Sequence, residues 1–198
     1  MKAEKIRLEG KSVRLEPLES GHLDQLCEVG FDESLWLWTA NIIKTSADMQ
    51  SYIETALDEF WRGVSLPFVT IEKSSEKIVG STRFGNIDAK NRKTEIGWTW
   101  INPRWQRTFV NTEAKLLMLT HAFETWNCIR VELKTDVLNE KSQNAMLRLG
   151  AQKEGVLRRH LITDAGRARD TVYFSIIDLE WQTVKANLKE KLRNDGKK

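Results

Sequence analysis

Residues 110–126, VNTEAKLLMLTHAFETW, keep a helical period but are apolar almost all round, through Val110, Ala114, Leu116, Leu117, Met118, Leu119, Ala122 and Phe123. A helix of that kind belongs inside a domain, wrapped by other elements. The flanking segments say what wraps it. Upstream, 67–73 (PFVTIEK), 77–87 (KIVGSTRFGNI) and 94–101 (TEIGWTWI) alternate as strands and are joined by short polar links. They predict an antiparallel meander. A first strand is expected in SVRLEPL, ended by Pro17, then a helix over 19–30 with Leu23, Leu26 and Cys27 on one face. Residues 31–45 are irregular and carry Trp36 and Trp38. An amphipathic helix over 46–63 is capped by Ser46, with Met49, Tyr52, Ile53, Ala56, Leu57 and Phe60 as its stripe.

Downstream of the apolar helix come a strand over 129–137 and a short helix over 139–150, with Gly150 as its C-cap. Two strands, VLRRHLITD and RARDTVYFSIIDLEW, then face each other across AGR as a hairpin. This order predicts an α+β fold: a mixed, mostly antiparallel twisted sheet flanked by helices, with the central helix after the fourth strand. It is not a regular doubly wound pattern. Residues 1–181 form one domain in this reading, and 182–198 a basic helical tail.

The chain has 198 residues, 40% hydrophobic and 30% charged, as expected of a soluble globular domain. No apolar run is long enough for a membrane span, and MKAEKIRLEG lacks the apolar core of a signal peptide. Cys27 and Cys128 have no metal spacing and read as small core residues, so a cytoplasmic location with no metal and no membrane is expected. From Gln182 onward six Lys or Arg stand against two acidic residues, a net of +4; the chain total of +3 therefore leaves −1 on the body. A nucleic-acid surface should show a basic body as well, so no nucleic acid is expected as partner. The basic helix expected over 181–193 offers a surface for a homodimer.

The stretch WINPRWQRTFVNTEAK, 100–115, passes from a strand through two arginines into the central helix. A helix N-terminus presents unpaired amides and about half a positive charge, which together suit an anion. Arg104 and Arg107 add charge to the amides running from Arg107 to Asn111, and a pyrophosphate would fit there. An ordinary turn capped by Asn111 or Thr112, with both arginines in water, is the alternative.

Three blocks in order, EIGWTWINPRWQRTFVNTEAKLLMLTHAFE, RVELKTDVLNEKSQNAMLRLGAQKEGVLRRH and GRARDTVYFSIIDLEW, resemble the GNAT superfamily of N-acetyltransferases. The resemblance covers roughly the last half of the chain and is nearest to the branch containing the ribosomal-protein-alanine acetyltransferases. It implies acetyl transfer from acetyl-CoA to an amine, by direct attack on the thioester without a covalent enzyme intermediate. NPRWQRTFVNTEAK stands where the family holds the cofactor pyrophosphate, and NEKSQNAMLRLGA where it places the helix beside the pantetheine. The cofactor contacts so implied are Trp100, Ile101, Asn102, Arg104, Gln106, Arg107, Thr108, Phe109, Val110, Asn111 and Thr112, with Asn139 and Ser142. The family's loop commonly carries glycines where Arg107 and Phe109 stand, and glycine admits amides close to phosphate and permits positive φ.

For the base, Glu95 on TEIGWTWI is the first candidate. Alternation puts it on one face with Gly97 and Thr99, and Ile96, Trp98 and Trp100 on the other. A solvent-facing Glu paired with a cross-strand cation is the plainer alternative. His160 is the second candidate, because an imidazole titrates near neutrality; a polar residue facing outward from the alternating RRHLITD is the alternative. Asn139 caps the helix of NEKS, and the resemblance makes Ser142 the donor to the departing thiolate, with a backbone amide near Trp100 or Ile101 serving the oxyanion. The resemblance implies that the acceptor enters between the early helices and the final hairpin, where Trp36, Trp38, Arg158, Arg159, Arg167 and Arg169 would shape its groove; a solvated hairpin face is the alternative for the arginines. The acceptor itself is a protein N-terminal amine or a small-molecule amine. A non-catalytic CoA-binding or regulatory module is the rival reading, resting on Phe109 and on the lack of an unambiguous base.

Overall fold

The computed structural model describes residues 1–195; the last three residues of the basic segment lie outside the described residues. Eight strands form one sheet: β1 (Leu8–Glu9), β2 (Val13–Pro17), β3 (Leu66–Glu72), β4 (Lys77–Asp88), β5 (Lys93–Ile101), β6 (Arg130–Asp136), β7 (Gln152–Ile162) and β8 (Ala168–Ile177). Their spatial order is β1-β2-β3-β4-β5-β6-β8-β7, antiparallel everywhere except between β5 and β6. The mixed sheet of the sequence reading is therefore present. The two-residue β1 adds a strand, so the central helix follows the fifth.

Five helices flank the sheet: α1 (Leu23–Gly30), α2 (Ser46–Trp61), α3 (Phe109–Thr120), α4 (Glu140–Leu149) and α5 (Trp181–Asp195). The cap of α2 is Thr45, not Ser46. Its hydroxyl accepts from the Asp48 amide, while Asp48 accepts from the Thr45 amide in return. Either hydroxyl could serve by residue type, and the reciprocal Thr45–Asp48 pair decides which one does. Helix α3 runs on into a π-helical turn at His121–Thr125, and α4 ends at Gly150 with φ +99, a left-handed cap that glycine adopts without strain.

Two cores lie on opposite faces. One joins Phe68, Phe84, Ile96, Val131, Leu133 and Phe174 of the sheet to Val110, Ala114, Met118 and Leu119 of α3, Met146 of α4, and Val184 and Leu188 of α5. The other joins Val69, Ile71, Ile78 and Trp100 to Leu26, Met49, Tyr52, Ile53 and Ala56. Helix α3 is thus covered by the sheet on one side and by α5 on the other, which accounts for its apolar circumference. Its one buried carboxylate ties it to the sheet edge: Glu113 accepts from the amides of Lys11 and Ser12 at 2.5 and 3.1 Å. Truncation to Glu113→Ala leaves those two turn amides without an acceptor and is expected to cost about 1–3 kcal/mol, read as a lower urea midpoint at unchanged slope.

Candidate active site

Strands β5 and β6 pair at Lys93–Arg130, Thr94–Val131 and Glu95–Glu132, and then part. Beyond that point β5 stays with β4 as far as Ile101, and β6 with β8 as far as Asp136. A wedge opens between them, edged by backbone groups that have no strand partner on that side. A bulge lies beside it. Ser81 opposes Trp100 and Arg83 opposes Gly97, so Thr82 alone faces both Trp98 and Thr99, and Trp98 takes φ +48. An inserted residue of this kind bends a strand and sharpens its twist.

The bulge also overturns the expected alternation. Ile96 lies in the core under α3, whereas Trp100, four residues on, lies in the core under α1 and α2. The Trp98 ring covers Gly85, where an added Cβ would come within 2.3 Å of it, and the Arg83 guanidinium sits 4.9 Å from the same ring. Thr99 turns to the other face and meets Lys115 of α3. Glu95, Trp98 and Trp100 therefore share one face, and Ile96 and Thr99 the other. Strict period-two counting fails at the inserted residue.

Below the wedge is the N-terminus of α3. Thr108 caps it by accepting from the Val110 amide at 3.3 Å and donating to the Trp105 carbonyl at 2.7 Å. The cap is thus Thr108, and neither Asn111 nor Thr112. Phe109 and Asn111 keep the open first-turn amides of any helix start. Phe109 is an ordinary helical residue whose ring packs against the core, whereas Arg107 takes the left-handed φ of +61 that a glycine would favour. Arg104 and Arg107 are exposed, and neither pairs with a carboxylate among the described residues. Asn111 Oδ1 is buried with no donor among the described residues. Thr112 is buried and accepts from Arg148 at 2.9 Å. Asn102 fixes the loop from above, donating to the Val29 carbonyl at 2.9 Å, and Gln106 donates to the Ile101 carbonyl at 2.8 Å. Gln106 also bonds the Lys141 ammonium, which joins the loop to the first turn of α4. In that turn Asn139 accepts from the Ser142 amide at 3.0 Å, leaving the half-buried Ser142 hydroxyl free among the described residues. The side chains of Trp100 and Ile101 are both in core, so only their backbone faces the wedge.

Across the opposite face runs a row of polar side chains. Glu95, only 2% exposed, accepts at Oε2 from Asn86 and from the Lys134 ammonium, each at 2.8 Å. Its cationic partner is thus present, but the carboxylate is buried and not solvent-facing. Lys134 also lies 5.9 Å from the Trp98 ring and 5.7 Å from Tyr173, and the exposed His160 packs its ring 5.7 Å from Tyr173. A cleft of about 160 Å³ adjoins this row, bounded by Asn41, Ile42, Asp48, Tyr52, Arg83, Trp98 and Asp164. Its outer rim is closed where the β7–β8 turn meets the 31–45 loop: Asp164 donates its amide to the Ala40 carbonyl at 2.9 Å and accepts from the Ile42 amide at 3.0 Å.

Of the residues expected to shape an acceptor groove, Trp36 is core, donating to the Gly30 carbonyl at 2.7 Å with its ring 5.5 Å from Trp100. Trp38 is half-buried and stacks under Arg167, which bonds the buried Asp136. Arg169 is buried 3.8 Å from the same carboxylate. Arg158 and Arg159 are exposed on the edge strand β7. The guanidinium that borders the cleft is Arg83, which sequence reading missed. It lies over the rings of Tyr52 and Trp98 and is paired with Glu59 at 2.9 Å. Lys115 was missed as well, although a lysine within a helix apolar all round was the signal for it. Burial pushes the Cys128 thiol up to about 11, which keeps it protonated and unreactive.

The sequence of residues 12–152 matches the family described as the acetyltransferase (GNAT) domain, and the chain belongs to that family. It is an acetyltransferase. A curated relative from Bacillus subtilis (strain 168), named "Putative ribosomal N-acetyltransferase YdaF", is 33% identical over 153 residues, covering 76% of this chain and 80% of its own. Ribosomal-protein-serine acetyltransferase of Escherichia coli (strain K12) is 21% identical over 172 residues, covering 85% of this chain and 94% of its own. Among solved structures, a GCN5-related N-acetyltransferase from Brucella melitensis superposes with a TM-score of 0.89 at 31% identity, covering 97% of this chain and 87% of the other.

The left-handed Arg107 yields a direct check on the loop. Such a conformation costs an L-residue roughly 1–2 kcal/mol, against about 0.5–1 kcal/mol of extra chain entropy lost by glycine on folding. Arg107→Gly is expected to raise the free energy of unfolding by up to about 1 kcal/mol in urea titrations, and to weaken the binding of a polyanion to the same loop.

Proposed function

We propose that the protein moves an acetyl group from acetyl-CoA to a primary amine, with both substrates held together, in the cytoplasm. A protein N-terminal amine such as that of a ribosomal protein is favoured over a small-molecule amine by the names its relatives carry. The observation that carries the reading is the wedge, which has an anion-ready helix start on one face and a polar row beside a cleft on the other. The residues fit an acyl-CoA. Arg104 and Arg107, which pair with no carboxylate among the described residues, suit a pyrophosphate together with the first-turn amides. Bare strand edges suit a pantetheine arm with its own amides. Trp100, Ile101, Asn102, Gln106, Thr108, Phe109, Val110, Thr112 and Asn139 complete that wall by backbone contact or by holding the loop in place.

Acetyl-CoA supplies an activated acetyl thioester. What remains for the chain is to remove a proton from the acceptor ammonium and to place donors where negative charge develops. Glu95 takes the first task. Asn86 and Lys134 hold Oε2, while Oε1 has no hydrogen-bond donor among the described residues and remains open to a proton, directly or through water. His160 stands farther along the row, on the exposed edge strand, as the second candidate. Amides of β5 near Trp100 and Ile101 serve the oxyanion, and the Ser142 hydroxyl serves the departing sulfur. The charge row and cleft lie where an acceptor would enter.

Saturating acetyl-CoA is expected to stabilise the protein. At 100 times the dissociation constant the gain is about 2.7 kcal/mol, which should raise Tm by roughly 5–11 °C for a chain of this size; an unmoved midpoint at every concentration would refute the cofactor assignment. With an N-terminal peptide as acceptor, Glu95→Gln should lower kcat/KM by roughly 10²–10⁴, and His160→Gln should leave it nearly unchanged. The reverse pattern would transfer the base role to His160.

A further inference from the structure

Lys115 is the least expected group in the molecule. It is 4% exposed and projects from the second turn of α3 into a closed triangle of polar atoms. Its Nζ donates to Thr99 Oγ1 at 2.7 Å and to Thr82 Oγ1 at 3.1 Å, and the two hydroxyls are 2.7 Å apart. An ammonium has three hydrogens, and the third finds no acceptor among the described residues. No carboxylate among the described residues pairs with it. Glu113, on the same helix, is turned to the Lys11 and Ser12 amides. Arg148 of α4 donates to Thr112. Across the sheet, Arg83 of β4 is paired with Glu59, and Glu95 of β5 with Lys134. With no carboxylate to offset it, desolvation by burial pushes the Lys115 ammonium down to about 7. Thr99, by contrast, is exposed and lies on the part of β5 that has left β6, at the edge of the wedge.

We propose that Lys115 is a positioning residue for the acyl-bearing end of CoA: sealed behind Thr99, its ammonium turns the Thr99 hydroxyl hydrogen outward and makes that hydroxyl a charge-assisted donor into the wedge. The reason is the direction of the hydrogen bonds. A charged Lys115 donates to both threonine oxygens, and with Thr82 donating to Thr99 across their 2.7 Å contact the Thr99 oxygen already accepts twice; its own hydrogen is left with the wedge or with the Gly97 carbonyl, a long 3.3 Å away. A neutral amine carries a lone pair, and the nearer hydroxyl, that of Thr99, turns inward to satisfy it. The donor facing the wedge then disappears. A ligand that accepts from Thr99 and brings phosphate charge to the start of α3 must favour the ammonium, so binding takes up a proton above neutrality. This rests on the reading of the wedge as an acyl-CoA site.

The test is calorimetric titration of acetyl-CoA from pH 6 to 9 in buffers of different ionisation enthalpy, with wild type, Lys115→Met and Thr99→Val. In the wild type, affinity should be greatest below about pH 7 and fall above it, by at most tenfold per pH unit, with uptake of a sizeable fraction of one proton. Lys115→Met should bind more weakly at pH 6 and show a flat profile above pH 7. Protonation of the cofactor's own phosphates contributes equally to both proteins and cancels in the comparison. Thr99→Val should lose most of the wild-type slope, and Thr99→Ser should restore it. Equal proton uptake in wild type and Lys115→Met would overturn the proposal while leaving the acyl-CoA site intact. Absence of any acetyl-CoA binding by the wild type would overturn the site itself, and this inference with it. Should Lys115→Met not fold, Thr99→Val decides, because an unchanged slope there also overturns it.

Discussion

The separation of β5 from β6 is the constraint on which the rest depends. Two parallel strands that pair for three residues and then diverge must leave backbone donors and acceptors uncovered inside a folded domain. Such groups are costly unless water or a ligand meets them. The bulge at Trp98 sustains the divergence and at the same time exchanges the faces of the strand, so one short segment serves both sides of the sheet. Glu95 and Trp98 are delivered to the polar row, and Thr99 to the helix behind. An unbulged β5 could not do both.

Much of the architecture was legible because it rests on periods and punctuation that residues carry individually. The central helix announced its burial by being apolar all round, and α5 covering its outer side is the matching fact. Gly150 marked the end of α4, and the meander was visible in its polar links. Legibility failed where one residue breaks a period. Nothing in TEIGWTWI says that Trp98 is inserted, and counting by twos past it put Thr99 and Trp100 on the wrong faces. The strand β1 was missed because two residues make no pattern.

The site divides in the same way. The loop of Arg104 and Arg107 could be located from the strand-to-helix junction, since any helix start offers amides. Which side chains would remain unpaired could not, because pairing depends on distant partners. Arg167 and Arg169 looked available in sequence and are engaged by Asp136 from another strand. Arg83 looked like an ordinary strand residue and is brought to the cleft by Tyr52 of α2 and by Trp98 beyond the bulge. At two positions where the family's loop commonly carries glycines, Arg107 adopts the left-handed φ a glycine would, and Phe109 is the first residue of the helix.

The joint between Asp164 and residues 40–42 makes one object of two loops that are some 120 positions apart in the chain. The cleft consequently has a rim that is continuous across the two loops, joined by a pair of hydrogen bonds. A residue inserted in either loop alone would slip that joint out of register. Lengthening the entrance of this protein therefore takes a matched change on both sides, which ties the evolution of one loop to that of the other.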